Sequence, residues 1–116
     1  HTLLVSVEHY YRGRQMIDDV TDWQDDLVAG RPSYLLLAAG AITTRGQPTE
    51  SEGLSGRIQT ARTLTLSIAA RELQRALELA RSTPATPWAR LVTAVLRSCH
   101  ELAEAHSPGA PAAMGA

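Results

Sequence analysis

Apolar residues recur at three- and four-residue steps along most of the chain, a spacing that predicts helices packed around a shared core. Residues 2 to about 29 contain no proline and one glycine, Gly13, so we expect a first helix of unusual length there. The sequence Gly-Arg-Pro at 30–32 follows, and it is a typical signal for the end of a helix. Gly13 is the position at which this helix is expected to be weakest.

A nearly unbroken apolar segment covers residues 34–44. The segment is too short to span a bilayer, which takes about 20 residues, and it is too rich in leucine and alanine for a strand. We expect a buried helix that Ser33 caps at its start. Residues 46–53 are polar and rich in turn-forming residues, which predicts an exposed loop.

Two more helices are predicted in the second half of the chain. Residues 54 to about 81 carry an apolar stripe at helical spacing, which should face the core. The sequence Thr-Pro-Ala-Thr-Pro at 83–87 interrupts this pattern, and Thr86 can cap a last helix that starts with Pro87 and ends near residue 105. Residues 107–116 are small and rich in proline and glycine, so we expect a disordered tail after one all-α domain over residues 1–106. The apolar stripe consists of Leu66, Ala70, Leu73, Leu77 and Ala80.

Composition excludes several classes of function. A net charge of −1 over 116 residues gives no general electrostatic reason to bind nucleic acid or an anionic membrane. Cys99 is the single cysteine, which rules out an internal disulfide and favours a reducing, cytoplasmic location. Its neighbour His100 diverges from it by about 100° on a helix, so the pair does not predict a zinc site. The sequence opens without Met and without a signal-peptide pattern, and we expect a piece of a longer protein.

Aspartate is confined to one short segment. All five aspartates lie between Asp18 and Asp26, whereas the seven glutamates are scattered. On one continuous helix, at about 100° per residue, four of these carboxylates and one amide would share a face, and the opposite face would be apolar. The polar face consists of Gln15, Asp18, Asp22, Asp25 and Asp26, and the apolar face of Met16, Val20, Trp23 and Leu27.

This acidic face predicts a function because it destabilises the helix that carries it. Like charges three or four residues apart each cost a few tenths of a kcal/mol, and the dipole disfavours negative charge in the last turns of a helix. Aspartate is also a poorer helix former than glutamate. Short carboxylates suit a hard cation such as Mg²⁺, which takes oxygen ligands and is often shared with substrate phosphates. The alternative is a solvated acidic surface.

The same residues resemble the second aspartate-rich motif of class I isoprenoid synthases. The Asp18-Asp19-x-x-Asp22 pattern is similar to the motif of trans-polyprenyl diphosphate synthases. The wider frame, in which Gln15 precedes the acids and Gly30-Arg31 and Tyr34 follow them, is closer to squalene and phytoene synthases. The sequence departs from that frame by having Asp18 where an asparagine is usual and Thr21-Asp22 where an Arg-Asp pair is usual.

The resemblance implies the C-terminal part of a helical bundle and a Mg²⁺-dependent reaction of an allylic isoprenoid diphosphate. Three Mg²⁺ ions would bridge two acidic helices and the substrate diphosphate, and prenyl transfer, cyclisation and head-to-head condensation all stay open as outcomes. The implied metal ligands are Asp18, Asp22, Asp26 and Gln15, with Asp19 and Asp25 behind them or in solvent; Arg31 and Arg14 would contact diphosphate; Leu4, Val7 and Tyr11 would form the apolar cavity wall.

Half of the implied site is missing, since no aspartate exists outside residues 18–26. We therefore expect the first aspartate-rich motif upstream in the same polypeptide or on a partner chain, and little activity from this piece alone. The rival interpretation is a non-catalytic helical subunit or interaction module whose acidic face docks a basic partner. A DDxxD or DxxxD sequence on a second helix would favour the enzyme. A magnesium or calcium buffer is disfavoured because ligands on one helix cannot enclose an ion.

Overall fold

The computed structural model describes residues 1–105, which form five helices. These are α1 (Thr2–Thr21), α2 (Trp23–Ala29), α3 (Tyr34–Ala38), α4 (Leu54–Arg81) and α5 (Thr86–Ala105). The predicted all-α class is confirmed: the only β pairing among the described residues is an isolated bridge between Ile42 and Pro48. No helix in this part of the chain combines the length and apolarity needed to cross a bilayer. The predicted tail at 107–116 lies outside the described residues.

Helix α4 is the centre of the fold. It packs against α1 on one side and α5 on the other, whereas α1 and α5 meet mainly through Trp88, whose Nε1 donates to the Ser6 hydroxyl at 2.9 Å and whose ring packs edge-on against Tyr10. Both neighbours run antiparallel to it: along α1, Ser6 contacts Ala76 and Gly13 contacts Ala69, and along α5, Cys99 contacts Leu66 and Leu102 contacts Arg62. The result is a layer of helices measuring 50 × 40 × 17 Å.

The predicted helix over residues 54–81 is confirmed with the same bounds, and α5 begins one residue earlier than predicted. The stripe on α4 faces the core as expected: Leu66, Leu73, Leu77 and Ala80 are buried, and Ala70 packs half-buried against them. Helix α1 also runs unbroken through Gly13. A Cβ atom at Gly13 would lie 2.7 Å from Leu73 Cγ, so glycine here permits the close approach of α1 and α4.

The prediction of one continuous helix to residue 29 is wrong, because the chain breaks at Asp22. The Thr21 hydroxyl donates to the carbonyls of Ile17 (3.3 Å) and Asp18 (3.1 Å), a back-bonding that bends helices. Asp22 then adopts φ −107° and ψ 12°, outside helical geometry, and α2 starts at Trp23. The acidic segment therefore lies on two helices.

The predicted helix over 34–44 is also too long. Ser33 caps α3 as expected, its hydroxyl accepting from the Leu36 amide, but the helix ends at Ala38. Gly40 takes a φ of 66°, and the Ala41 amide returns to the Leu36 carbonyl (2.9 Å), which is the hydrogen bond of a glycine-terminated helix. Burial was predicted correctly for Leu35, Leu36 and Ile42, which belong to the core, but Tyr34 and Leu37 are each 40% exposed.

The loop between α3 and α4 is held by Arg57, a residue that the sequence pattern does not single out. Its guanidinium donates to the carbonyls of Ala39 and Gly40 at one end of the loop and of Glu50 and Glu52 at the other, at 2.7 to 3.2 Å. Four backbone acceptors are thus satisfied by one side chain. This clamp fixes the loop against the start of α4.

Candidate functional site

The break at Asp22 rearranges the acidic segment. Asp18 stays in the last turn of α1 with its side chain 47% exposed, and Asp22 is exposed at the junction of the two helices. Asp25 and Asp26 lie in the first turn of α2 rather than in the last turns of one long helix. The positive end of the α2 dipole therefore favours them, and the predicted conflict with the helix dipole applies only to the acids of α1.

Asp19 is the most deeply buried carboxylate of the segment, with only 6% of its surface exposed. One oxygen accepts from the Gln15 side-chain amide and the other from the Tyr34 backbone amide, both at 3.1 Å. Burial raises the pKa of Asp19, the two hydrogen bonds oppose that rise, and the nearby carboxylates of Asp26 and Asp18 add to it. Asp19 thus anchors the start of α3 to α1 instead of facing solvent.

Asp26 and Arg31 form the clearest ion pair of the site. The Arg31 Nε donates to Asp26 Oδ1 at 3.0 Å, and the Arg31 backbone amide donates to the Asp26 carbonyl at 2.8 Å. The turn between them is made by Gly30, whose φ is 71°. The Asp26 side chain is 15% exposed and that of Arg31 is 64% exposed, so the guanidinium stays open to solvent while it holds the carboxylate.

Arg14 and Gln15 contact two different aspartates. Arg14 Nη2 lies 3.7 Å from Asp18 Oδ1 on the same helix face, and both side chains are about half exposed, so this contact contributes little to stability. Gln15 instead turns to the buried Asp19. The structure therefore turns Asp19 and Asp26 inward, with the exposed Gln15 bonded to Asp19, and leaves Asp18 and Asp22 open to solvent.

The residues implied as a cavity wall lie earlier on α1. Leu4 and Tyr11 are 59% and 65% exposed, and Val7 is half-buried. The Tyr11 ring packs edge-on against Tyr10, with ring centroids 5.6 Å apart. Apolar side chains of this size, open to solvent on consecutive turns, form a surface suited to an apolar ligand or a packing partner.

A metal ion held by side chains alone needs several ligands that converge on one position. Within residues 1–105, no three His, Cys, Asp or Glu side chains come close enough together to hold a metal ion. Mg²⁺ commonly takes one or two carboxylates, several waters and substrate phosphates. An ion at Asp18 and Asp22 would therefore need further ligands from outside this segment.

Two polar contacts outside the acidic segment were not predicted. His9 Nδ1 lies 2.7 Å from Glu72 Oε1 across the α1–α4 seam, and Arg12 approaches the same carboxylate at 3.8 Å. The sequence carries no signal for this pairing, because the two helices are joined by more than 30 residues.

Cys99 is buried, and burial raises the pKa of its thiol, which disfavours the reactive thiolate.

The neutral variant Asp19→Asn provides a test of the buried carboxylate. Because its pKa is raised above the ordinary value of 3.8, the folded state binds this proton more tightly than the unfolded state does, and the stability contributed by Asp19 falls as pH rises. Asparagine can accept from the Tyr34 amide and donate to Gln15 Oε1 once that amide turns over. In urea titrations at pH 7 we expect a larger free energy of unfolding for the variant than for the parent. This difference should shrink as the pH is lowered towards 4. If the free energy of unfolding differed between variant and parent by the same amount at pH 7 and at pH 4, the raised pKa would be contradicted.

Comparison with known protein families, with curated proteins and with solved structures finds no match for this chain. The functional argument therefore rests on the residues and their geometry.

Proposed function

We propose that this chain supplies the acidic half of the diphosphate site of a Mg²⁺-dependent class I isoprenoid synthase, a prenyltransferase or terpene synthase, acting on an allylic isoprenoid diphosphate. The observation that carries the proposal is the pair Asp18 and Asp22, one helical turn apart and open to solvent, in the same segment as a guanidinium that Asp26 holds in place. The backbone joins these parts, because the Asp22 amide bonds the Asp18 carbonyl and the Asp26 amide bonds the Asp22 carbonyl.

The electrostatics of the segment support this assignment. Asp18 is half-exposed in the last turn of α1, where the helix dipole disfavours its charge, and the exposed Asp22 one turn later adds like-charge repulsion. Divalent cations would compensate that charge, and the same cations could then bind the anionic diphosphate. The neighbouring acids are satisfied internally, Asp19 by Gln15 and Tyr34 and Asp26 by Arg31, so the segment separates acids that build the turn from acids that face outward.

The reaction requires heterolysis of the bond between the allylic carbon and the diphosphate oxygen. The electron pair stays on the departing diphosphate, and an allylic cation remains. Bound Mg²⁺ supplies Lewis acidity that stabilises the developing charge on the leaving group. Arg31, oriented through its Nε by Asp26, has donors left over for diphosphate oxygens, and Arg14 is a second candidate at the same edge.

The apolar part of α1 has a different role in this proposal. Leu4 and Val7 exclude water from the hydrocarbon chain, and the exposed ring of Tyr11 can face an allylic cation, which aromatic faces attract. The helix thus changes from apolar to acidic in the order in which an isoprenoid diphosphate changes from chain to head group. The facing half of the site belongs to an element outside this chain or upstream of it, and we call the two halves together the assembled protein.

Ligand-induced stabilisation tests the proposal. Mg²⁺ with an unreactive diphosphate should raise the melting temperature of the assembled protein, because a ligand that binds only the folded state stabilises it. Asp22→Asn should show a much smaller rise. Glu8→Gln removes a charge from exposed α1 surface about 15 Å before Asp18 along the helix axis, and it should behave like the parent. Equal responses of the two variants would mean that the acids are solvated surface or a docking face.

The isolated chain should not turn over substrate. The 116-residue protein carries one aspartate-rich segment, and its exposed apolar side chains on α1 and α3 favour self-association, which sedimentation velocity would detect. We expect no release of diphosphate from geranyl or farnesyl diphosphate at any Mg²⁺ concentration. Release by the purified chain would overturn the half-site argument.

A further inference from the structure

Arg62 is a buried cation that the acidic site does not use. It lies on α4 with 8% of its surface exposed, and its Nη2 donates to the carbonyl of Leu102 on α5 at 3.3 Å. None of the carboxylates in residues 1–105 forms an ion pair with it. Burial lowers the pKa of this guanidinium, yet arginine stays charged at neutral pH. No buried side-chain nitrogen in residues 1–105 lacks a hydrogen-bond partner, but a largely buried charge without an opposite charge is costly, and a bound anion would offset that cost.

Arg62 lies in a cleft where α1 and α2 meet α4 and α5. The cleft has a volume of about 740 Å³, within the range of small-molecule sites. Arg62 is the only charged side chain that lines it in the part of the chain that the structure describes. The apolar walls come from four elements: Val20 of α1, Trp23 of α2, Leu54 and Ile58 of α4, and Leu102 of α5.

This cleft lies on the opposite face of the α1–α2 segment from the outward acids. Val20 and Trp23 belong to the apolar face of that segment, and Thr21, the residue before the break at Asp22, lines one edge of the cleft. A ligand here would therefore not compete for Asp18 or Asp22.

We propose that the cleft binds an amphiphilic monocarboxylate, such as a medium-chain fatty acid, with its carboxylate on the Arg62 guanidinium and its alkyl chain against Trp23, Leu54 and Ile58. A carboxylate matches the planar fork of arginine and can accept two hydrogen bonds from it. One buried positive charge balances one negative charge, which disfavours a phosphate dianion. The hydrocarbon walls disfavour a small hydrophilic anion such as acetate.

A second groove also touches Arg62, and the test must separate the two. That groove, of about 450 Å³ between α4 and α5, is lined by two further basic side chains, Arg71 and His100, and by Ala70. It would suit a more highly charged ligand. Filling it with Ala70→Phe should leave fatty-acid binding unchanged, whereas Ser55→Phe, at an exposed position lining the proposed cleft, should obstruct it.

Calorimetric titration of the purified 116-residue chain with decanoate tests the site, with decanol and inorganic phosphate as comparison probes. We expect saturable binding of one decanoate, at least about tenfold tighter than decanol, as a charge-assisted hydrogen bond requires. Arg62→Gln and Ser55→Phe should each weaken binding by about tenfold or more. Decanoate should also change the emission of Trp23, and the change should vanish in Trp23→Phe.

Several results would overturn the proposal. These are the absence of saturable decanoate binding, equal affinities for decanoate and decanol, competition by inorganic phosphate, and loss of binding in Ala70→Phe but not in Ser55→Phe. If Arg62→Gln unfolds because the bond to Leu102 is lost, Ser55→Phe decides the outcome, since that residue is exposed and Arg62 remains intact.

Discussion

Asp22→Asn should lower kcat of the assembled protein by about 100-fold or more while leaving the fold at least as stable as that of the parent. Under the proposed function, Asp22 helps to hold the cations that stabilise charge on the departing diphosphate, and removal of one such electrostatic stabiliser typically costs 10²–10³ in rate, about 3 kcal/mol. The fold should not suffer, because Asp22 makes no side-chain capping bond and asparagine is an equally good residue at the start of a helix. The loss of one negative charge also relieves repulsion within the cluster.

The pairing of two readouts makes this prediction specific. Steady-state kinetics should show the loss in Asp22→Asn and none in the matched Glu8→Gln variant, and urea titration should show that neither variant is less stable than the parent. A loss of activity that parallels a loss of stability would assign Asp22 a structural role. Activity retained in Asp22→Asn would count against the isoprenoid synthase proposal.

The long helices were predictable because their signals are local and redundant. Over residues 54–81 the apolar period, the absence of proline and the Thr-Pro interruption that follows agree with one another, and α4 has the predicted bounds. The stripe from Leu66 to Ala80 identified the core face for the same reason. Such agreement does not depend on what the helix packs against.

The two wrong boundaries arose where a single residue outweighs the pattern. Gly40 stands inside an apolar run, and its left-handed conformation ends α3 after five residues although the side chains on both sides remain buried. Thr21 resembles an ordinary helical residue, but its hydroxyl bonds two carbonyls of the preceding turn just before the chain leaves helical geometry. In both cases the hydrophobic periodicity predicts which side chains are buried, but it does not predict where the helix ends.

At the candidate site, too, sequence spacing predicts some features and tertiary packing decides others. The sequence identifies the acidic segment and the apolar face opposite to it: Val20 is buried, and Met16, Trp23 and Leu27 pack partly buried against the core, as expected for that face. It does not identify Asp19 as the buried acid, because that follows from the packing of α3 and from the Tyr34 amide, 15 residues away. Local spacing places Asp19 beside the acidic face; a tertiary contact turns it inward.

Gly13→Ala should destabilise the protein although alanine is the better helix former. The added Cβ would lie 2.7 Å from Leu73 Cγ and 3.2 Å from the Ala69 carbonyl oxygen, and Leu73 is fully buried with no space to move into. Overpacking of this kind costs about 1–3 kcal/mol, against a gain of up to about 1 kcal/mol from helix propensity. We expect a net loss of about 1–2 kcal/mol in the free energy of unfolding, measured by urea titration.

Gly56→Ala is the matched control for this prediction. Gly56 also lies within a helix, near the start of α4, but nothing comes within 4 Å of a Cβ built there. The same substitution should therefore stabilise the protein by up to about 1 kcal/mol, and the two variants should change stability in opposite directions. Because the clash is with one side chain, Leu73→Ala should cost less in the Gly13→Ala background than in the parent, a coupling that a double-mutant cycle measures. Independent effects of the two substitutions would show that Gly13 is tolerated by helix α1 rather than required by its contact with α4.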